Sequence, residues 1–190
     1  MSKEKLNSGY YPTIVLLIVC VISTALLAFT NELTMEAREE QKRQAELLSK
    51  QIVFPEADEF REVSLPDGSP DAVKSLEEAY QGDKLIGYLI SSESRGYGGA
   101  VPVKIGINDS GEISGLDLPA NNETPGLGQK VRDENFKTQF INGNAEQDFS
   151  VSAGNNEVQI DAITGATVSS QAVVDSVNSA LQLYRDFLKE

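Results

Sequence analysis

One uncharged, apolar segment limits the folds that are open to this chain of 190 residues. Residues 12–30, with the sequence PTIVLLIVCVISTALLAFT, contain no charged side chain. As an α-helix this segment reaches about 28 Å, close to the ~30 Å hydrocarbon core of a bilayer. Tyr10, Tyr11 and Phe29 lie where interfacial aromatic residues are common. We therefore predict one transmembrane helix over residues 12–30, followed by a single compact domain.

A cleaved signal peptide is the competing interpretation of the same segment. The apolar run is long for a signal core, and Ala25-Leu26-Leu27-Ala28 is not a clear Ala-x-Ala cleavage site. Lys3 and Lys5 precede the span, and positive charge marks the cytoplasmic side. We therefore expect a cytoplasmic N-terminus over residues 1–11, and a single-pass protein of the cytoplasmic (inner) membrane whose soluble domain is extracytoplasmic.

The remaining chain predicts an α+β domain with a mainly antiparallel sheet and packed helices. Residues 31–54 are rich in helix formers and predict a helical neck, and residues 55–190 form the predicted domain. The stretch 55–74 contains three prolines and predicts a loop-rich entry. Alternation and turn residues predict a sheet that starts near 85–90 and continues with a strand at 100–107. A hairpin loop at 108–111 should lead into a strand from 113 to 118, with a bulge at Gly115. A helix is predicted at 134–141, followed by a strand pair at 149–151 and 158–160 across a turn at 154–156. Pro102 indicates the start of a strand or an exposed edge.

Composition narrows the chemistry that the domain can perform. The chain has no His, no Trp and a single cysteine, Cys20. Zinc sites, iron–sulfur clusters and nucleophilic catalysis that uses a histidine base all need side chains that are missing here. Any redox chemistry therefore comes from an organic cofactor. The net charge of −13 argues against nucleic acid as a partner, since phosphate backbones attract Lys and Arg.

The stretch DAITGATVSS, residues 161–170, lies between a short strand and a helix. The helix is indicated by apolar residues at helical spacing: Val168, Ala172, Val173, Val177, Ala180, Leu181, Tyr184 and Leu188. Its unpaired N–H groups and positive dipole end favour phosphate, and small residues at 165–166 allow close approach to the backbone. The pattern predicts an anion site with the Thr167 hydroxyl in its middle. The alternative is that Thr167, Ser169 or Ser170 is an ordinary helix N-cap.

Two glycine-rich stretches precede this one. Gly96-Tyr97-Gly98-Gly99 by itself indicates a turn between strands. In NETPGLGQK, residues 122–130, Thr-Pro-Gly suits a turn, and two glycines flank Leu127. These glycines would let the backbone approach a flat ring on which Leu127 packs. Lys130 is near enough in sequence to assist a phosphate, although a solvated lysine is the simpler interpretation.

Together the three motifs resemble the FMN-binding domain family. Asp161-(x)2-Thr164-Gly165-Ala166-Thr167-(x)-Ser169 is similar to the family's flavinylation signature, with Thr164 where the family often has Ser. The Gly-Tyr-Gly-Gly turn and the Glu-Thr-Pro-Gly-Leu-Gly loop precede it in the family's order, so the resemblance covers most of residues 84–185. It implies that a flavin transferase joins FMN through its phosphate to Thr167. The other cofactor-binding residues that it implies are Thr164, Gly165, Ala166, Ser169, Glu123, Thr124, Leu127 and Gly128.

Within that family the chain is most similar to the G subunit of Rnf-type ferredoxin:NAD+ oxidoreductases. The resemblance implies an electron-transfer subunit rather than a stand-alone enzyme, which relays electrons through covalent FMN in an ion-translocating complex. The implied partners are other membrane subunits, the flavin transferase and membrane lipid. Two alternatives stay open: the C subunit of a sodium-translocating NADH:quinone reductase, and an anchored assembly or binding module without redox function.

Overall fold

The computed structural model of the protein describes residues 10–152 and 157–189. The chain divides into two compact units, Met1–Ala45 and Glu46–Glu190. Lys3 and Lys5, on which the predicted orientation rests, and the turn predicted at 154–156 lie outside the described residues.

The predicted N-terminal helix is confirmed as helix α1, Tyr10–Val53, which is 44 residues long. Its apolar side chains between Ile14 and Phe29 are exposed on every side of the helix. A helix that is apolar all round needs a partner other than water. By length and composition α1 is able to cross a bilayer, as expected of a membrane anchor.

The second unit is built on a five-stranded antiparallel sheet whose spatial order follows the chain. Its strands are β1, Glu59–Val63; β2, Val73–Gln81; β3, Lys84–Arg95; β4, Ala100–Asn108; and β5, Ile113–Asp117. The predicted hairpin at 108–111 joins β4 to β5. The side-chain oxygen of Asn108 stabilises it by accepting the backbone N–H groups of Ser110 and Glu112. The α+β class and the antiparallel sheet are therefore confirmed.

The sheet begins earlier than the sequence predicted. Strands β1 and β2 precede residue 85, and β1 lies inside the stretch 55–74 that was predicted to be loop-rich. β2 does not show the apolar–polar alternation of a half-buried strand, because one of its buried residues is charged. Glu77 is buried and forms an ion pair with Lys50 of α1. β1 is short, polar and at the edge of the sheet, so it carries no apolar pattern.

One face of the sheet is covered by helix α3, Thr167–Leu183, which lies across β3 and β4. The strict alternation of β4 directs four fully buried side chains to this helix: Val101, Val103, Ile105 and Ile107. Burial of each such side chain is worth about 1.5–3 kcal/mol, so this contact is the main core of the domain. A π-helical turn, Tyr184–Leu188, continues α3.

The opposite face of the sheet receives the end of α1. Val53 and Phe54 are buried there with Ala79 and Leu89. The sheet makes room for them with glycines, since a Cβ built on Gly106 would lie 2.5 Å from Val53 Cγ1 and 2.8 Å from Phe54 Cε2. Both faces of the sheet are therefore packed.

The short elements between β5 and α3 differ in detail from the prediction. The helix predicted at 134–141 is α2, Glu134–Lys137, followed by turns, and a 3₁₀ turn, Gly128–Arg132, precedes it. Strands β6, Phe149–Ser150, and β7, Val158–Gln159, form the predicted pair, but they are parallel. Asn178 of α3 bonds both the N–H and the C=O of Phe149 with its amide, at 2.9 Å each, and so ties β6 to the helix.

Two predictions within the sheet are resolved by its register. Pro102 lies near the start of β4, where β3 is the one strand of the described residues that pairs with it, because pairing with β5 begins at Lys104. The predicted start of a strand is therefore correct, although β4 is an inner strand. Between β4 and β5, Gly106 pairs with Gly115 and Ile107 pairs with Ile113, so the register leaves out Ser114. The bulge therefore falls one residue before Gly115.

We expect Gly106→Val to lower the free energy of unfolding by about 1–3 kcal/mol, because its side chain would displace Val53 and Phe54. Chemical denaturation of the full chain in detergent, followed by circular dichroism, measures this change. Ala100→Val, on an exposed position of the same strand, is the control and should change stability by less than about 0.5 kcal/mol. Equal stability of the two variants would contradict the close packing of α1 on this face.

Candidate functional site

Three loops meet at the start of α3 and enclose a cleft of about 600 Å³. They are the turn 96–99 between β3 and β4, the loop 122–128 after β5, and the turn 164–166 before α3. A cleft of this size is in the range of small-molecule sites. Its lining consists of Tyr97, Glu123, Thr124, Leu127, Gly128, Gly165, Ala166, Thr167, Val168 and Ser169.

The structure therefore brings together nearly all the residues that the sequence motifs singled out. Of the predicted cofactor-binding residues, Thr164 alone does not line the cleft, although it is exposed in the adjoining turn. Lys130 does not line it either. Of the described residues that do, Glu123 is the only one with a charged side chain.

The turn before α3 depends on a glycine and a serine. Gly165 has φ of +80°, a left-handed conformation that glycine adopts without strain. Ser170 then closes the turn on the helix, since its hydroxyl accepts the N–H of Ile163 at 3.0 Å and donates to the carbonyl of Ala166 at 3.1 Å. The backbone before Thr167 is therefore held in one shape.

None of the three hydroxyl residues is the helix N-cap. Ala166 occupies that position and makes no side-chain capping bond, so the alternative that Thr167, Ser169 or Ser170 caps α3 is wrong. Thr167 is exposed, and within residues 10–152 and 157–189 its hydroxyl has no hydrogen-bond partner. Ser169 and Ser170 are buried and bonded. Thr167 thus presents a free hydroxyl at the first turn of a helix.

Glu123 links its own loop to the turn 96–99 and to the first turn of α3. Its side chain is 2% exposed, and its carboxylate accepts the N–H of Gly98 at 2.9 Å and the hydroxyl of Ser169 at 2.6 Å. One oxygen serves each bond. Glu123 therefore forms part of the cleft wall while both of its oxygens are used by the protein.

Glycines around Glu123 give it room. A Cβ built on Gly128 would lie 2.7 Å from Glu123 Oε2 and 2.8 Å from Ser169 Oγ, and one on Gly96 would collide with Glu123 Oε1. At Gly98 the obstacle is the carbonyl oxygen of Asn122. These glycines are needed for contact between loops, whereas the sequence predicted that those beside Leu127 serve the approach of a ring.

The rim of the cleft carries exposed apolar side chains. Tyr97 is 78% exposed, Val168 54% and Leu127 40%, and all three line the same cleft. Exposed apolar side chains that lie together are typical of interaction sites. The periodicity placed Val168 on the buried face of α3, and this is wrong: it faces the cleft, ahead of the part of the helix that covers the sheet. Tyr97 was not among the predicted site residues, although its position between glycines marks it as displayed on a turn. The rim suits a flat, apolar ligand.

The chain is similar to several known proteins. Residues 96–182 match the model of the FMN-binding domain. The G subunit of the proton-translocating ferredoxin:NAD+ oxidoreductase complex of Clostridium ljungdahlii is 30% identical over 188 residues, 98% of each chain. The G subunit of the sodium-translocating ferredoxin:NAD+ oxidoreductase complex of Acetobacterium woodii is 32% identical, over 93% of this chain and 91% of that one.

Among solved structures, the crystal structure of the C subunit of the sodium-translocating NADH-quinone reductase from Parabacteroides distasonis has a similar fold. The TM-score is 0.55 at 19% identity, over 70% of this chain and 79% of that one. This likeness concerns the fold alone.

We expect Ser170→Ala to lower the free energy of unfolding by about 1–3 kcal/mol, because it leaves the N–H of Ile163 without its acceptor. Ser179→Ala is a matched control, since Ser179 also donates to the carbonyl four residues earlier but accepts no loop N–H. Its effect should stay below about 0.5 kcal/mol. Thermal and chemical unfolding measure both, and an equal loss would show that Ser170 does not hold the turn.

Proposed function

The chain belongs to the family of G subunits of ion-translocating oxidoreductase complexes, whose FMN-binding domain it contains, and we propose that it carries FMN as a phosphoester on Thr167 and relays electrons within such a complex. The observation that carries the proposal is the Thr167 hydroxyl, exposed and without a partner among the described residues, beside a cleft with an apolar rim. In the proposed step the hydroxyl oxygen attacks the flavin-side phosphorus of a flavin dinucleotide held by the transferase and loses its proton. The new P–O bond replaces the bond between the two phosphates of that donor, and the nucleoside monophosphate leaves.

The described residues fit the proposed cofactor. Leu127, Val168 and Tyr97 offer apolar surface for an isoalloxazine ring, and the first turn of α3 offers N–H groups that lack intrahelical acceptors to the phosphate. When bound, FMN supplies one- and two-electron redox chemistry. The protein positions the ring and limits its contact with water.

A covalent bond also fits the charges of the site. Of the described residues that line the cleft, none is Lys or Arg, and Glu123 contributes a carboxylate to its wall. Ion pairing with a phosphate dianion is therefore weak here, and an ester bond to Thr167 retains the phosphate without a cation. An ester at the phosphate leaves the ring free to cycle between redox states.

The two alternatives differ from this proposal in what supports them. Similarity to the C subunit of the sodium-translocating NADH:quinone reductase rests on the fold, whereas similarity to the G subunits extends over nearly the whole chain. An assembly module without redox function does not account for the free Thr167 hydroxyl beside an apolar rim, whereas a covalent flavin accounts for both. We therefore favour a G-type electron carrier, with the other membrane subunits and a flavin transferase as partners.

The proposed topology is a single membrane span with the FMN domain on the extracytoplasmic side. Helix α1 is long and apolar enough to cross a bilayer, with lipid as its surroundings. The direction rests on Lys3 and Lys5 before the span. A covalent cofactor suits this side, where a dissociated flavin would be lost.

Intact-mass measurement of the full chain co-expressed with a flavin transferase tests the attachment. The wild type should gain the mass of FMN less one water, and Thr167→Val should gain nothing because the hydroxyl is gone. Thr138→Val is the matched control, since it removes an exposed threonine hydroxyl outside the cleft and outside the three motifs, and it should keep the adduct. An adduct that persists in Thr167→Val, or one that is lost equally in Thr138→Val, would contradict the assignment of Thr167.

Labelling with a membrane-impermeant maleimide in spheroplasts tests the topology. In a Cys20→Ser background, Asp83→Cys in the exposed β2–β3 loop should be labelled without lysis. Asn7→Cys, before the span, should be labelled only after lysis. The reverse pattern would place the domain in the cytoplasm.

A further inference from the structure

We propose that Glu123 is the positioning residue of the flavin site: its carboxylate fixes the walls that hold Thr167 and Tyr97 by accepting one hydrogen bond from each wall. This inference rests on the proposed function, in which Thr167 receives FMN. Each of its oxygens accepts one bond from the protein, from Gly98 and from Ser169, so its role in this inference is to hold the walls.

The bond to Ser169 sets the direction of Thr167. Successive residues of an α-helix are rotated by about 100°, so Thr167 lies about 200° from Ser169 around α3. Ser169 is 2% exposed and donates inward to Glu123 at 2.6 Å. Thr167 is thereby turned outward, where its hydroxyl has no partner among the described residues and is accessible to a transferase.

The bond to Gly98 holds the turn that carries Tyr97. The N–H of Gly96 donates to the carbonyl of Gly99 at 2.7 Å and closes this turn on itself. The N–H of Gly98 then points at Glu123 and fastens the closed turn to the loop 122–128. Tyr97, exposed between these glycines, is therefore held beside the cleft by the same carboxylate that orients α3.

A carboxylate suits this task because it accepts at both oxygens and donates nothing when ionised. Among the described residues Glu123 forms no ion pair with Lys or Arg, so the two donors are its specific partners. Both donors lie within normal hydrogen-bond distance of the carboxylate, at 2.9 and 2.6 Å. Removing the acceptor leaves two donors unsatisfied and both walls free to move.

The test compares rates of FMN attachment by an active transferase, followed by intact mass on the full chain in detergent. Glu123→Ala should slow attachment about tenfold or more, since it releases Thr167 and Tyr97 together. Glu123→Gln should stay within about threefold of the wild type, because its amide oxygen still accepts from Gly98 and the Ser169 hydroxyl rotates to accept its N–H. Glu77→Ala is the control for loss of a buried carboxylate elsewhere; it removes the partner of Lys50, lowers stability and leaves the rate unchanged.

Hydrogen exchange of the proteins before FMN attachment provides a second readout. Glu123→Ala should speed exchange of backbone amides in both 96–99 and 166–170, whereas Glu123→Gln should speed neither. Ser169→Ala should loosen 166–170 alone, because the bond from Gly98 to Glu123 persists. If Glu123→Ala does not fold, Ser169→Ala carries the test and should slow attachment as well.

The outcomes separate this inference from the proposed function. Wild-type attachment rates in Glu123→Ala, or equally slow rates in Glu123→Ala and Glu123→Gln, would overturn the positioning role. A wild type that takes up no FMN from a transferase active on a control substrate would instead refute the proposed function. Hydrogen exchange would then still decide whether Glu123 couples the two walls.

Discussion

The packing of α3 across the sheet is the constraint on which the site depends. Val173, Val177 and Leu181 are fully buried along this helix, and the Ser92 hydroxyl of β3 donates to the carbonyl of Ser176 at 2.9 Å. Rotation of α3 about its axis would bring apolar side chains into water and break that bond. The core therefore sets the direction of α3 as a whole, and its first turn, which lies ahead of these contacts, is held in addition by the bond from Ser169 to Glu123.

The first turn of α3 makes a different kind of contact from the rest of the helix. It meets the buried carboxylate of Glu123 instead of apolar side chains of the sheet. Glu123 meets the helix through Ser169 and the β3–β4 turn through Gly98, so the loops are positioned by a polar contact at the edge of the core. Outside this contact the walls present apolar side chains such as Leu127 and Val168 to solvent. Rigid elements thus support loops that display surface for a ligand, the usual arrangement of a binding site.

Elements with local signals were predictable from the sequence. Strict alternation from Val101 to Ile107 and helical spacing after Thr167 indicated β4 and α3, because each pattern reports burial on one face. β2 was missed because its buried Glu77 pairs with Lys50, 27 residues away, and polar pairs of this kind have no period. The role of Glu123 was hidden for the same reason, since its partners are 25 and 46 residues distant. The motifs indicated the three loops that the structure brings together, but the contact between them is tertiary and has no local signal.

Glycine performs the same physical task at both ends of this domain. Gly106 and Gly115 let Val53 lie directly on the sheet, and Gly98 and Gly128 let the loop that contains Glu123 lie directly on its neighbours. At each of these positions an atom of a neighbouring residue occupies the space that a Cβ would need, so packing requires glycine there. Gly96 and Gly128 therefore leave the space that the Glu123 carboxylate occupies, and Gly98 lets its turn lie against the backbone of Asn122. Gly126 has open space beside it and φ of +73°, so its turn requires glycine for conformational reasons and not for packing.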